Sequence, residues 1–379
     1  MITVAIGGDL CPIGKNQPYF VAGDAESIFN DLLQEFEDAD LSVANLECPI
    51  IQESAPIAKN GPVLGVESDC INGLIQSKIK VLNLANNHIM DHGMAGLLNT
   101  LTVCEEAGIA TVGAGRNIKE ARRIFIKEID NFRIGILGVA EHEFSIAKEN
   151  CGGANPLDLI DYVRNVKNQS GNINYLIVLL HGGNEHYPLP SPRLRDICHF
   201  MVEMGANAVI AQHSHCPGCY EQYNGSTIVY GQGDLIFDWF SGHDVSPSKG
   251  FLVKLIINDY DEHSAEIVPY VQHPKGIGAK KMCREEKEVF LREINERSAR
   301  LADPAFIEEE WLKLCEERKQ SYYFNLLPRF INNRVLQKVN NYFHFVEQLF
   351  SARHLLRLEN MIRCESHREI IETILEKRK

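Results

Sequence analysis

The sequence has no apolar run approaching the roughly eighteen residues that a membrane-spanning helix needs. Its first residues lack a basic stretch leading into a long apolar run, and Ile2–Ile6 already reads as a strand, so no secretory leader is expected. Positive charge is in deficit: 38 Lys and Arg against 51 Asp and Glu leave a formal charge of −13. That balance argues against a nucleic-acid backbone or an anionic membrane as principal partner. An acidic substrate held at a local cation stays open, because a bound ion dominates its own surroundings. Internal repeats, low-complexity tracts and a phosphate-loop pattern are absent. Cysteine is not scarce, but the 11 present are an odd number in a chain too large to need disulfide staples. Reduced thiols and a cytoplasmic location are expected.

What is present is a series of short apolar strands that end in polar residues of one chemical kind. The central one lies in Lys80–Gly93. Val81, Leu82 and Leu84 read as a buried strand closed by Ala85, which delivers Asn86, Asn87 and His88 to its carboxyl edge. Ligands of open α/β sheets bind outside such edges. A plain Asn-rich turn is the competing reading, since Asn tolerates turn geometry. Asp91 is placed to hold the His88 ring through its other nitrogen. Four further strand ends carry metal-capable groups: Asp9, Glu47, His181, and His213 with His215. Carboxylate, amide oxygen and imidazole together suit Mn²⁺, Zn²⁺ or Fe²⁺ better than a thiolate-rich structural zinc site does. Two ions would need a bridging carboxylate.

Between these strands the spacing predicts helices over Glu26–Phe36, Val66–Ser77, Met94–Ala107, Leu157–Val166 and Pro192–Met204. Further strands are expected at 109–112, 124–129, 132–139, 251–257 and 265–271. Gly218–Asp238 reads as two strands around the turn Asn224-Gly225. From about Glu285 strand patterns vanish and apolar residues recur at helical spacing, as at Phe290, Ile294, Leu356, Ile362, Ile370 and Ile374. This predicts a domain over 1–272 and an all-helical extension over 285–379 whose apolar stripes are packing surface. The basic end, Glu376–Lys379, is too short to argue for a membrane. Cys216-Pro217-Gly218-Cys219 runs into a hairpin instead of opening a helix, which weakens a redox or structural-zinc reading. Gly113-Ala114-Gly115 with Asn117 reads as a glycine-rich turn.

Taken together, the motifs resemble the CapA-type poly-γ-glutamate capsule biosynthesis proteins, within the calcineurin-like metallophosphoesterase superfamily. Gly-Asp at 8–9, Asn-Leu-Glu-Cys-Pro at 45–49 and Ala-Asn-Asn-His with Asp and Gly at 85–93 carry the resemblance. So do His-Gly-Gly-Asn-Glu at 181–185, Pro-Ser-Pro at 190–192, His-Ser-His at 213–215 and Tyr-Gly-Gln-Gly-Asp-Leu-Ile-Phe-Asp at 230–238. The set covers roughly residues 1–272. It implies an α/β fold, a four-layer α/β/β/α sandwich, with a site for two divalent metal ions between strand-end loops. Asp9, Glu47, Asn87, His181, His213 and His215 are implied as ligands, with Glu47 the bridge. His88 is implied as general acid or transition-state stabiliser, and Glu185 as a carboxylate behind the ligands or against substrate.

The implied activity is metal-dependent hydrolysis of a phosphoester or amide in capsule or surface-polymer biosynthesis, on a small-molecule, peptide or polymer substrate. Two other classes stay open: a non-catalytic assembly protein whose helical extension docks a membrane-bound polymer synthase, and a peptide-modifying epimerase using His88 or Glu185 as base. The chain departs from the pattern at three places. Cys11 stands where many phosphoesterases of this fold have His, and is either a zinc ligand or a small buried residue. Gln212 stands where Gly is usual. Asp234 stands where Asn is usual, an added carboxylate that would bear on substrate choice.

Overall fold

Strands flanked by parallel neighbours and covered on both faces must be apolar throughout, and Tyr175–His181, buried along its whole length, is such a strand. The computed structural model of the chain describes residues 1–169, 171–238, 248–258, 262–272, 276–327 and 334–363, with isolated positions beyond. Ile374 and the basic end lie outside the described residues.

Two sheets form the body. The first runs Ala279–Lys281, His263–Gln272, Lys249–Ile257, Ile2–Cys11, Leu41–Leu46, Val81–Asn83 and Ala110–Val112, with Asp234–Phe237 also paired to the end of Ile2–Cys11. The second runs Tyr220–Tyr223, Ser226–Tyr230, Ala208–Gln212, Tyr175–His181, Phe132–Ala140 and Phe125–Ile129. The strands that carry the predicted site residues pair in parallel within each sheet, so their carboxyl ends share one edge.

The inner faces pack on each other. Val4, Ile6, Val43 and Val81 of the first sheet meet Ile136, Ile177, Leu179 and Ile210 of the second in one apolar cluster. On the outer face of the first sheet, Ala5, Ala44 and Leu82 pack with Phe20, Ile28, Phe36, Leu74 and Leu97 of its covering helices. Over the second sheet lie Leu159–Gln169 and Pro192–Glu203, joined where Tyr162 donates its hydroxyl to Met201 O at 2.8 Å. The layers are therefore helix, sheet, sheet, helix, the α/β/β/α sandwich expected. Pro192 opens its helix as the sequence predicts: Ser191 Oγ accepts from Leu194 N at 3.1 Å.

Three local expectations are corrected. The helix expected over Glu26–Phe36 is broken at Asn30, whose φ of 46° ends Ala25–Phe29 before the chain restarts at Leu33–Glu37. In Val66–Ser77 only Ile71–Gln76 is α-helical, because Val66 and Glu67 pair instead with Ile50 and Ile51. The Gly218–Asp238 hairpin stops at Tyr230. Gly231 and Gly233, at φ 131° and 76°, then turn the chain into the other sheet, where Asp234 sits opposite Asp9.

The body also extends past the expected boundary near 285. Helix Arg284–Ala299 buries Phe290 and Ile294 in the cluster between the sheets, and Tyr220 N donates to its Ser298 at 3.0 Å. Burial of two such side chains contributes roughly 1.5–3 kcal/mol each. One compact unit spans Met1–Ile307 and a second Glu308–Lys379. The second is helical, with Phe324 and Val346 buried and Tyr323 stacked on Phe350 at 5.2 Å. Its apolar stripes are not all packing surface: Leu356, Ile362 and Ile370 are exposed.

Candidate metal centre

Parallel strands from both sheets stop at the same edge, and their next residues meet there. Asp9 and Asn45 are register partners on neighbouring strands, and Glu47 N closes on Leu10 O at 2.9 Å. The approach of the Gly231–Asp234 turn to the first strand is close enough that a Cβ at Gly8 would lie 2.1 Å from Gly233 O. Only glycine fits there. Gln212, at the end of its own strand, reaches across to the other sheet and donates to Gly7 O at 3.0 Å.

Amide side chains build the floor. Asn45 Oδ1 accepts from Asn83 and Asn86 at 3.2 Å each, while its Nδ2 donates to Asp9 Oδ1 at 2.7 Å. Asn86 Oδ1 in turn accepts from His88 N at 3.1 Å, which fixes the turn. Asn87 O is held by Ser145 Oγ at 2.7 Å, leaving Asn87 Oδ1 beside His181 Nε2 at 3.0 Å.

The imidazoles enter from the second sheet. His181 Nε2 is 3.3 Å from Glu47 Oε1. His213 and His215 have φ of 90° and 52°, a region that non-glycine residues rarely occupy. That backbone aims both rings inward, and Asp9 Oδ2 fixes it by accepting from His213 N at 2.9 Å. His215 Nδ1 binds Asp234 Oδ1 at 2.7 Å, with His215 Nε2 3.8 Å from Glu47 Oε1. Asp234 therefore stands behind His215 and orients the ring.

Electrostatically the cluster is not at ease as bare polypeptide. Burial raises the Asp9 carboxyl to about 6, with His215 opposing and Asp234 reinforcing. Glu47 is pushed well above the usual range by burial and then by Asp9. Burial lowers His213 to about 3 and His181 well below its ordinary value, each helped by neighbouring imidazoles. His215 goes the other way, to about 10, because the charges of Glu47 and Asp234 outweigh its burial. Both carboxylate oxygens of Glu47, and Nδ1 of His213, are buried without a hydrogen-bond partner. Leaving such groups unpaired costs about 1–3 kcal/mol each, more when charged.

A divalent cation would satisfy these orphaned atoms. Ligand atoms of Glu47, His181 and His213 lie within 4.8 Å of one another, as do those of Asp9, Glu47 and His215. Glu47 is common to both groups. The donor set is hard-to-borderline oxygen and nitrogen, which fits Mn²⁺, Zn²⁺ or Fe²⁺. Glu185 is exposed, within the same reach of His213 and His215.

Beside the cluster, His88 Nδ1 is 2.6 Å from Asp91 Oδ2, both buried. Cys11 packs in the apolar core next to Cys48, its thiol raised well above the ordinary value by burial. That placement among apolar neighbours is the small-buried-residue reading. Burial likewise raises Cys216 to about 11 and Cys219 to about 12. Asn117 caps the short helix Ile118–Ala121. The sequence reading overlooked Asn83 and the buried Lys59, whose Nζ lies 2.7 Å from Asp91 Oδ1. Asn83 is two residues before Ala85 on a strand already singled out, so its side was legible. Lys59 sits in a loop with no motif around it.

Residues 3–239 match the family described as "Bacterial capsule synthesis protein PGA_cap". The chain is 27% identical over 253 residues to the capsule biosynthesis protein CapA of Bacillus anthracis, covering 64% of this chain and 60% of that protein. With the PGA biosynthesis protein CapA of Bacillus subtilis it shares 29% over 219 residues, 56% of this chain and 57% of the relative. The chain thus spans less than two thirds of the length of these relatives. The calcineurin-like phosphoesterase YfkN of Bacillus subtilis superposes with a TM-score of 0.37 at 14% identity, over 70% of this chain and 90% of that one, a likeness too distant to decide chemistry. With the match spanning most of the body and the strand-end motifs inside it, the chain belongs to the bacterial capsule synthesis protein PGA_cap family.

Proposed function

We propose that this chain is a metal-dependent hydrolase that acts on a phosphoester or amide in the synthesis of poly-γ-glutamate or another surface polymer. The observation that carries the reading is Glu47. A carboxylate fully buried between two sets of ligand atoms, with no hydrogen-bond donor on either oxygen, is a costly feature unless cations occupy both sides. Asp9, Glu47, Asn87, His181, His213 and His215 would hold two divalent ions. Such ions supply Lewis acidity and an activated water. The chain's own residues do the remainder. Asp91 holds the His88 ring through Nδ1, so Nε2 is the nitrogen left to carry a proton to the leaving group. Asp234 orients His215, and the Asn45 amide holds Asp9.

A second reading, an accessory role in which the helical unit docks a membrane-bound polymer synthase, is favoured by one observation. Val335, Tyr342 and Phe343 on helix Arg334–Phe343 are 72%, 88% and 73% exposed. No helix among the described residues is long and apolar enough to cross a membrane itself.

Turnover separates the two. The manganese-loaded chain is expected to cleave an activated aryl phosphodiester, to stop with chelator and to recover when manganese is restored. Full metal occupancy without turnover of phosphodiesters or amides would reject the hydrolase in favour of the accessory role.

A further inference from the structure

The loop over residues 52–65 is largely exposed, with Leu64 buried and Ile57 and Gly65 half-buried, and the Lys59 side chain on it is 1% exposed. Its ammonium donates to Asp91 Oδ1 at 2.7 Å and to Asn87 O at 3.2 Å, lies at the longer distance of 3.4 Å from His88 Nδ1, and is 5.9 Å from the centre of the Phe144 ring. Burying an ammonium is costly unless it is paired, so this reach inward needs a reason. The rest of the loop docks on the same turn. Leu64 N donates to Asp91 Oδ2 at 2.7 Å, Ile57 N to Asp91 O at 2.9 Å, and Ala55 N to His92 Nδ1 at 2.8 Å.

Asp91 is thereby held on every side. Oδ2 is shared by His88 Nδ1 and Leu64 N, and Oδ1 is engaged by Lys59. Without Lys59 the carboxylate would be held through Oδ2 alone, by His88 Nδ1 and Leu64 N, with Oδ1 unpartnered and free to tilt and carry the imidazole with it. With Lys59 in place it has one orientation, and so does the ring.

We infer that Lys59 is a positioning residue for His88, acting through Asp91, and that docking of the 52–65 loop completes the proton-donating side of the site. The inference rests on the hydrolase reading for its kinetic consequence, while its structural consequence stands apart from turnover.

The test uses Lys59→Met and Lys59→Arg in the full chain, with isotope-labelled histidine for NMR of the imidazole nitrogens and their protons. The hydrogen-bonded Nδ1–H signal of His88 is identified by its loss in His88→Asn. It is expected to vanish in Lys59→Met and to return in Lys59→Arg, with metal content unchanged in both. On a phosphodiester with a poor leaving group, Lys59→Met should lower kcat about tenfold, a part of the roughly hundredfold to ten-thousandfold that loss of the proton donor itself costs. KM should hold, since the interaction serves the transition state. Lys59→Leu, which likewise carries no donor, serves in place of Lys59→Met if the latter does not fold. An unchanged His88 signal in the folded variant would overturn the inference and leave Lys59 as a staple for the loop. A silent wild-type enzyme with the His88 signal lost in Lys59→Met would instead reject the hydrolase reading and keep the positioning role.

Discussion

His88→Asn is expected to keep its metal and to lose about a hundredfold to ten-thousandfold in turnover on substrates with poor leaving groups. The ring is buried and fixed through Nδ1 by Asp91, while the neighbouring Asn87 turns its amide oxygen toward His181. Adjacent residues on a tight turn thus serve different partners. The loss should be smallest where the leaving group departs as a stable anion and needs no proton. Asn87→Ala should lose both metal and activity, because it removes an oxygen from the ligand cluster. Metal analysis alongside kinetics on a graded set of leaving groups checks this. Equal metal loss in the two variants, or full activity of His88→Asn on a poor leaving group, contradicts the proton-donor role.

Glu47→Leu should stabilise the metal-free chain while abolishing its stabilisation by metal. In the metal-free protein the Glu47 carboxylate is completely buried, lacks a hydrogen-bond donor on either oxygen, and lies near the Asp9 carboxylate. Replacing such a group by an apolar side chain of similar volume removes a penalty of about 1–3 kcal/mol. For a body of this size that raises the melting temperature by a few degrees. In the wild type, saturating metal binds only the folded state, and at a thousandfold excess over Kd adds about 4 kcal/mol. Thermal unfolding with and without manganese reads both effects. A lower melting temperature for metal-free Glu47→Leu, with metal still stabilising it, contradicts the assignment of Glu47 as the shared ligand.

The strand ends were legible in the sequence for a physical reason. A buried parallel strand must be apolar, so the residue where that pattern stops is visible, and here it is Asp9, Asn87, His181 or His213. Less legible was anything that depends on one strand crossing to another sheet. Asp234 reads as part of a hairpin, yet two glycines with positive φ carry it beside Asp9, where it binds His215. The helix at Arg284 reads as an appendage because the sequence changes character there. Its few apolar residues are sufficient to fill the space between the sheets, as Phe290 against Phe251 does at 6.2 Å. Lys59 could not be found from sequence at all, since a lysine in a loop is ordinarily solvated.

Elemental analysis of the chain purified without chelator tests the central claim most directly. The wild type is expected to carry up to about two transition-metal ions per chain, and Asp9→Ala and His213→Ala each to carry less, since Asp9 belongs to one group of three ligand atoms within 4.8 Å of one another and His213 to another. A wild-type chain without metal even after incubation with manganese, zinc or iron, or stoichiometric metal in both variants, would contradict it.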